Sequence, residues 1–156
     1  CTLRIVDGGA TRQESMQNGL AAAPDSDLVL VHDAPRALLP VRNTADCIAA
    51  AARTGAALLA VPATDTLKRG RDGRVEATLA RDAVWHAQTP QVVRRDLLQR
   101  ALTAAQAARF AGTEDVSLVE RLGEPVEVVL GSPGNVKITH PDDLPLAEAL
   151  FEFFRP

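Results

Sequence analysis

Short β-type runs alternate with helix-forming segments along most of this chain, and that alternation restricts it to an α/β architecture. Residues 3–6 and 28–31 are apolar runs of strand character, and 12–22 between them is helical, the order of a βαβ unit. The alanine-rich segment 43–53 is a good helix former, with Gly55 where a C-terminal cap belongs, and 56–61 reads as a buried strand. The helix expected over 94–109 places Leu97, Leu98, Ala101, Leu102 and Ala105 on one apolar face, and Gly112 ends that region. A shorter helix over 115–122, strands at 126–130 and 135–139, and a closing helix from Asp142 complete the reading. Asp142 and Asp143 suit the positive N-terminal end of that last helix.

One stretch breaks the alternation. Residues 65–69 and 74–79 are polar arms flanking Gly70-Arg71-Asp72-Gly73, the pattern of a hairpin too polar for a core. We expect it to project and to meet a second subunit. At 156 residues and 46% hydrophobic content the chain has material for one core, so 1–156 is a single domain with 63–80 as its arm.

A net charge of −3 excludes a protein that coats nucleic acid or an anionic membrane, since both need a surplus of Lys and Arg. No run has the length of a membrane span, and no basic-apolar leader pattern is present. Cys1 and Cys47 make neither a disulfide framework nor a metal-ligand spacing, which favours a reducing cytoplasm.

The segment with most chemistry is Leu28-Val29-Leu30-Val31-His32-Asp33-Ala34-Pro35-Arg36, where an apolar strand ends in a carboxylate and then a guanidinium. Carboxyl ends of strands line the ligand crevice of open α/β sheets. Asp33 there either holds magnesium, which commonly takes one or two carboxylates and leaves the rest to phosphates and water, or caps the turn with Arg36 as its partner. His32 reads as a packed, hydrogen-bonded histidine. Gly8-Gly9-Ala10 is either a nucleotide-facing loop or a plain tight turn, and Ser15 lies in the helix after it. Lys137 sits in an apolar run, aimed at an anion or at solvent from an edge strand. Arg81 comes after the hairpin, Gln88-Thr89-Pro90-Gln91 offers amides and a hydroxyl, and Trp85 reads as core.

In order, the segments beginning Gly8-Gly9-Ala10-Thr11-Arg12-Gln13-Glu14-Ser15, Val31-His32-Asp33-Ala34-Pro35-Arg36, Asp65-Thr66-Leu67-Lys68-Arg69, Trp85-His86-Ala87-Gln88-Thr89-Pro90-Gln91, Thr113-Glu114-Asp115-Val116-Ser117, and Gly131-Ser132 with Asn135-Val136-Lys137-Ile138-Thr139 span nearly the whole chain. Together they resemble the 2-C-methyl-D-erythritol 4-phosphate cytidylyltransferase family of non-mevalonate isoprenoid biosynthesis. The resemblance implies a Rossmann-like nucleotidyltransferase sheet with a protruding β-arm that interlocks in a homodimer. It implies CTP and a sugar-alcohol phosphate as substrates and a divalent metal, Mg2+, on Asp33, with Arg36 beside it. Arg81 and Lys137 join Asp33 as catalytic residues. Lys137 and Thr89 would contact the methylerythritol phosphate, Thr66 and Arg81 would reach the phosphate in the partner's site, and Gly8, Gly9, Ala10 and Ser15 would lie around the cytidine.

Two departures accompany the match. The family's His-Asp-Ala-Ala-Arg-Pro loop has its proline and small residue exchanged here, as Pro35 and Ala37, and we expect the exchange to re-aim Arg36. The family's glycine-rich loop with arginine and its Pro-Lys-Gln segment, which grip the triphosphate, have no counterpart in these residues. We therefore expect a chain lacking the N-terminal strand, loop and helix, with two strand edges exposed. Losing one preorganised donor costs roughly a hundredfold in rate, so the 156 residues alone are expected to be nearly inactive although the complete protein is an enzyme. The last segment reads as a closing helix, and no fused second enzyme is expected. The competing readings are a ribitol 5-phosphate cytidylyltransferase and a non-catalytic, dimerising or nucleotide-binding remnant; the arm sequence favours methylerythritol phosphate over ribitol phosphate.

Overall fold

A computed structural model describes residues 2–110, 112 and 114–154, the last two by their backbone. Cys1, Thr113 and the chain's final residues therefore lie outside the described residues. In chain order the elements are α1 (Arg12–Ala21), β1 (Leu28–Val31), α2 (Val41–Thr54), β2 (Ala56–Pro62), β3 (Lys68–Arg71), β4 (Arg74–Thr78), a 3-10 turn (Arg81–Ala83), β5 (Trp85–Arg94), α3 (Arg95–Ala107), α4 (Asp115–Arg121), β6 (Glu127–Leu130) and α5 (Asp143–Phe154).

Four strands form the main sheet in the order β1-β5-β2-β6. β5 runs antiparallel to both its neighbours, while β2 and β6 are parallel. The sheet is therefore mixed, not the parallel one that alternating strands and helices suggest. Side chains alternate across a strand, and those of β2 accordingly divide between two clusters. Ala56, Leu58 and Ala60 face a core built with Leu97, Leu98, Ala101 and Leu102 of α3 and Val116 and Val119 of α4. Ala57 and Leu59 face the opposite way, against Cys47, Ala50 and Ala51 of α2. Helices thus cover both faces. The small residues of α2 sit at helical spacing and let it lie close on the sheet. Gly55 ends α2 at a φ of 101°, a left-handed conformation that favours glycine.

Three expectations fail, each for a physical reason. Residues 3–6 are not a strand: Leu3 and Ile5 are 86% and 92% exposed, and among the described residues no neighbouring strand supplies the hydrogen bonds that define one. Residues 135–139 run as irregular chain, tied to the Asp33 loop by Ile138 N–H donating to the Pro35 carbonyl at 2.9 Å. Pro35 has no N–H to return the bond, so no ladder grows. Trp85 begins β5 half-exposed instead of sitting in the core.

The polar hairpin is present as β3 and β4, which pair only with each other, and the side chains of both strands are almost all exposed. Its turn carries Asp72 and Gly73 at positive φ. No described helix is long and apolar enough to cross a membrane.

Candidate active site

β1 delivers His32 and Asp33 at its carboxyl end, and the chain then turns back, with Arg36 N–H donating to the Asp33 carbonyl at 3.0 Å. β5 supports this turn from beneath. Thr89 is 4% exposed, and its hydroxyl accepts from the Asp33 N–H at 3.0 Å and lies 3.0 Å from His32 Nδ1. His32 Nε2 is 2.9 Å from the Arg36 carbonyl. One tautomer satisfies this set: Nε2–H donates to the carbonyl, and Nδ1 accepts from Thr89. His32 is thus a structural link with both ring nitrogens engaged.

Three cations surround the Asp33 carboxylate. Lys137 Nζ is 3.0 Å from Oδ2, Arg12 Nη1 is 3.3 Å from Oδ1, and Arg36 Nε is 3.8 Å from Oδ2. Burial alone would raise the carboxyl's pKa, but the hydrogen bonds from Lys137 and Arg12 outweigh it and hold Asp33 below the usual carboxylate range. Burial pulls the Arg36 guanidinium down from its ordinary value against the opposing charge of Asp33. Arg36 Nη1 donates to the Asn135 carbonyl at 2.7 Å, while its buried Nε has no hydrogen-bond partner among the described residues.

Arg12 opens α1, whose N-terminus is fixed by a reciprocal capping box: Thr11 Oγ1 accepts from Glu14 N–H, and Glu14 Oε2 accepts from Thr11 N–H, both at 3.1 Å. Its guanidinium also forks onto Asp115, with Nη2 at 2.6 Å and Nε at 3.2 Å, and this bonding raises the Arg12 pKa. Asp115 opens α4 and is 1% exposed.

The Lys137 segment is held by buried amides. Asn135 donates to the Thr89 carbonyl at 2.8 Å, and Gln88 donates to the Ser132 carbonyl at 2.8 Å. A Cβ on Gly131 would meet Gln88 Oε1 at 2.3 Å, so no larger residue fits there without displacing that amide. Gln91 holds α4 in the same manner, accepting from Val116 N–H at 3.0 Å and donating to Glu114 at 2.8 Å.

Beside the cluster, a cavity of ≈ 530 Å3 opens between α1 and the outer edge of β1, lined in part by Arg12, Ser15, Met16, Leu30, Asp33 and Asp115. Gly8, Gly9 and Ala10 lie exposed before α1. The Gly9 N–H donates to Ser15 Oγ at 2.9 Å, and a Cβ on Gly9 would meet that of Glu14 at 2.1 Å, so a side chain is excluded by close approach.

The structure therefore joins Asp33, Arg36 and Lys137 in one cluster and sets Ser15 on the adjoining wall. It places Thr89 behind the cluster, buried and with its hydroxyl already engaged by Asp33 and His32. Thr66 and Arg81 are exposed near the base of the hairpin, where Arg81 donates to the Thr64 carbonyl. Sequence reasoning passed over Arg12 and Asp115. The capping-box spacing from Thr11 to Glu14 marks the helix start that presents Arg12, whereas nothing local marks Asp115 as its partner 103 residues away.

No group of three or more His, Cys, Asp or Glu side chains gathers for a metal ion among the described residues. A magnesium site completed by phosphates needs only one or two protein carboxylates. Asp33 fits that role, being favoured in its ionised form and, among the described residues, contacted at Oδ1 by the long bond from Arg12.

The family model for IspD, 2-C-methyl-D-erythritol 4-phosphate cytidylyltransferase, matches residues 1–152. A protein of that name from Pelotomaculum thermopropionicum is 49% identical over 150 residues, covering 95% of this chain and 63% of the relative. A bifunctional enzyme IspD/IspF from Anaeromyxobacter dehalogenans is 51% identical over 154 residues, 96% of this chain and 40% of the relative. The crystal structure of 2-C-methyl-D-erythritol 4-phosphate cytidylyltransferase from Thermus thermophilus superposes with a TM-score of 0.87 at 40% identity, covering 94% of this chain and 71% of that one. The chain thus spans less than two thirds of the length of the first two relatives while matching them along almost all of its own. Matched by the family model along nearly its whole length, and by these relatives at 40–51% identity, the chain belongs to the 2-C-methyl-D-erythritol 4-phosphate cytidylyltransferase family.

Proposed function

We propose that the protein to which this chain belongs transfers CMP from CTP to 2-C-methyl-D-erythritol 4-phosphate, giving CDP-methylerythritol and pyrophosphate. The observation that carries this reading is Asp33 at the end of β1 ringed by Lys137, Arg12 and Arg36. Both reactants are anions, so their approach is limited by charge repulsion, and three cations set against the two carboxylates of Asp33 and Asp115 leave net positive charge. Asp33 would hold Mg2+, which when bound would neutralise phosphate oxygens and assist departure of pyrophosphate. Lys137 and Arg12, each more than 40% exposed, can turn from Asp33 toward a phosphate. Arg36 is more buried and stays as fixed positive charge.

A phosphate monoester is already ionised at neutral pH, so the nucleophile needs no base. That agrees with His32, whose ring nitrogens are both committed to structural bonds. Thr66 and Arg81, exposed at the base of the arm, are proposed to serve the partner's site in a homodimer, and a cytoplasmic setting suits these substrates.

The test is to fuse the 156 residues to the portion of the Pelotomaculum thermopropionicum relative that they do not match, and to monitor pyrophosphate release from CTP. Release that requires methylerythritol phosphate over ribitol phosphate, and falls at least about a hundredfold in Asp33→Asn, is the expected result. A folded fusion that releases none, while the relative is active in parallel, overturns the reading.

A further inference from the structure

Asp33 faces a difficulty as a metal ligand, because Arg12 competes for it. The Arg12 guanidinium lies between two carboxylates and divides its hydrogen bonds unequally. Nη2 and Nε form the fork on Asp115, at 2.6 and 3.2 Å, and only Nη1 reaches Asp33, at 3.3 Å. The two acceptors differ in setting as well. Asp115 has a side chain 1% exposed, against 12% for Asp33, and its carboxylate is held in place by α4, which Gln91 anchors to β5.

An ion pair in a drier setting is screened less, and a bidentate guanidinium fork is the stronger geometry. Both effects bias Arg12 toward Asp115. The bias leaves Asp33 Oδ1 with one long contact, and a carboxylate oxygen contacted in that way retains capacity for a cation.

We propose that the Arg12–Asp115 pair is a positioning device that sets the affinity of Asp33 for a divalent cation: Asp115 draws the guanidinium fork to itself and so keeps Asp33 Oδ1 open. This rests on the reading of Asp33 as the metal ligand. Without the charge of Asp115, the fork has one carboxylate left within reach and closes over Asp33. Without the guanidinium, nothing contests Oδ1. The two removals therefore act in opposite directions, whereas a pair that merely ties α1 to α4 would respond to both in the same sense.

The experiment measures Mn2+ binding to the 156-residue chain by electron paramagnetic resonance and water-proton relaxation at low ionic strength, with Asp33→Asn as the reference for that site. Arg12→Met is expected to tighten Asp33-dependent Mn2+ binding about threefold or more, the scale of a half-exposed ion pair. Asp115→Asn is expected to weaken it by a similar factor, and to have no effect once Arg12 is already Met. Thermal melts accompany each variant. If Asp115→Asn does not fold, Asp115→Ser in the Arg12→Lys background asks the same question, since a lysine cannot fork and the Asp115 dependence should largely vanish. Shifts of equal sign in the two single variants, or none, overturn the proposal while leaving the metal reading intact. Binding that Asp33→Asn does not change overturns the metal reading, and this proposal with it.

Discussion

Thr89 shows how much of a candidate site can depend on a single buried side chain. Its hydroxyl accepts from the Asp33 N–H and bonds His32, so the orientation of the Asp33 turn depends on one oxygen. Thr89→Val keeps the shape and removes that oxygen, leaving the Asp33 N–H and one imidazole nitrogen unpaired. A buried group deprived of its partner costs roughly 1–3 kcal/mol, and urea unfolding should show a loss of that size. Thr89→Ser keeps the oxygen and forfeits a methyl group, about 0.8 kcal/mol. Amide hydrogen exchange separates the two effects: the Asp33 N–H should exchange faster in the valine variant and at nearly the parent rate in the serine variant. An Asp33 amide indifferent to valine would mean that the hydroxyl is not its acceptor in solution, and Thr89 would again be open to a substrate role. Cys47 behaves in a simpler way, since burial pushes its thiol up to about 11 and removes it from chemistry at neutral pH.

At the scale of elements, legibility in the sequence divides by how each segment earns its place. β1 is legible because Leu28-Val29-Leu30-Val31 is uniformly apolar, and α3 is legible because its buried leucines and alanines recur at helical spacing. β5 is hidden, although it joins β1 to β2 at the centre of the sheet, because Gln88, Thr89, Pro90 and Gln91 in its middle look like a loop. Gln88, Thr89 and Gln91 are buried and each holds a segment of the candidate site, which is where local pattern and global fold are expected to disagree. Residues 3–6 fail in the opposite way, having strand composition but no pairing partner. Asp33, Arg36 and Lys137 were legible as a set only through motif order, since the contact between Lys137 and Asp33 spans irregular chain. The entry to α5 gives a test on this scale. Asp143 Oδ2 accepts from Thr139 N–H and His140 N–H, both at 2.8 Å, and from the Thr139 hydroxyl, fixing the segment just beyond Lys137. The backbone bonds from Thr139 and His140 lower its pKa. A depressed carboxyl pKa contributes stability that is present above the unfolded-state value and is lost as pH falls through the folded-state value. The stability difference between the parent and Asp143→Asn, measured by urea unfolding across an acid series, should therefore be constant near neutrality and shrink on acidification. A difference that grows toward low pH would contradict the assignment.

For the whole molecule the open question is what covers the hairpin. β3 and β4 pair only with each other, Val75 is 66% exposed, and the ion pairs of Arg69 and Arg71 with Glu76 are exposed ones that contribute little. An isolated two-stranded hairpin is marginal in water, so we expect a surface outside the chain's own core to complete it. A second copy is the proposed surface. The base of the hairpin is better secured: Pro62 pairs with Trp85 across β2 and β5, Ala63 N–H donates to the Val84 carbonyl, and Leu79 N–H donates to the Leu67 carbonyl, the last two at 2.9 Å. Leu67 and Leu79 are thus already hydrogen-bonded to each other. Replacing residues 68–78 by Gly-Gly should close the chain as a two-residue turn without disturbing the main sheet. The expected outcome is a parent chain that sediments as a dimer and a shortened chain that sediments as a monomer. Its melting temperature, measured where both chains are monomeric, should lie within a few degrees of the parent's, since the removed strands bury almost nothing in the monomer. A shortened chain that remains dimeric would move the interface elsewhere, and a monomeric parent would show that the arm does not hold two copies of this chain together.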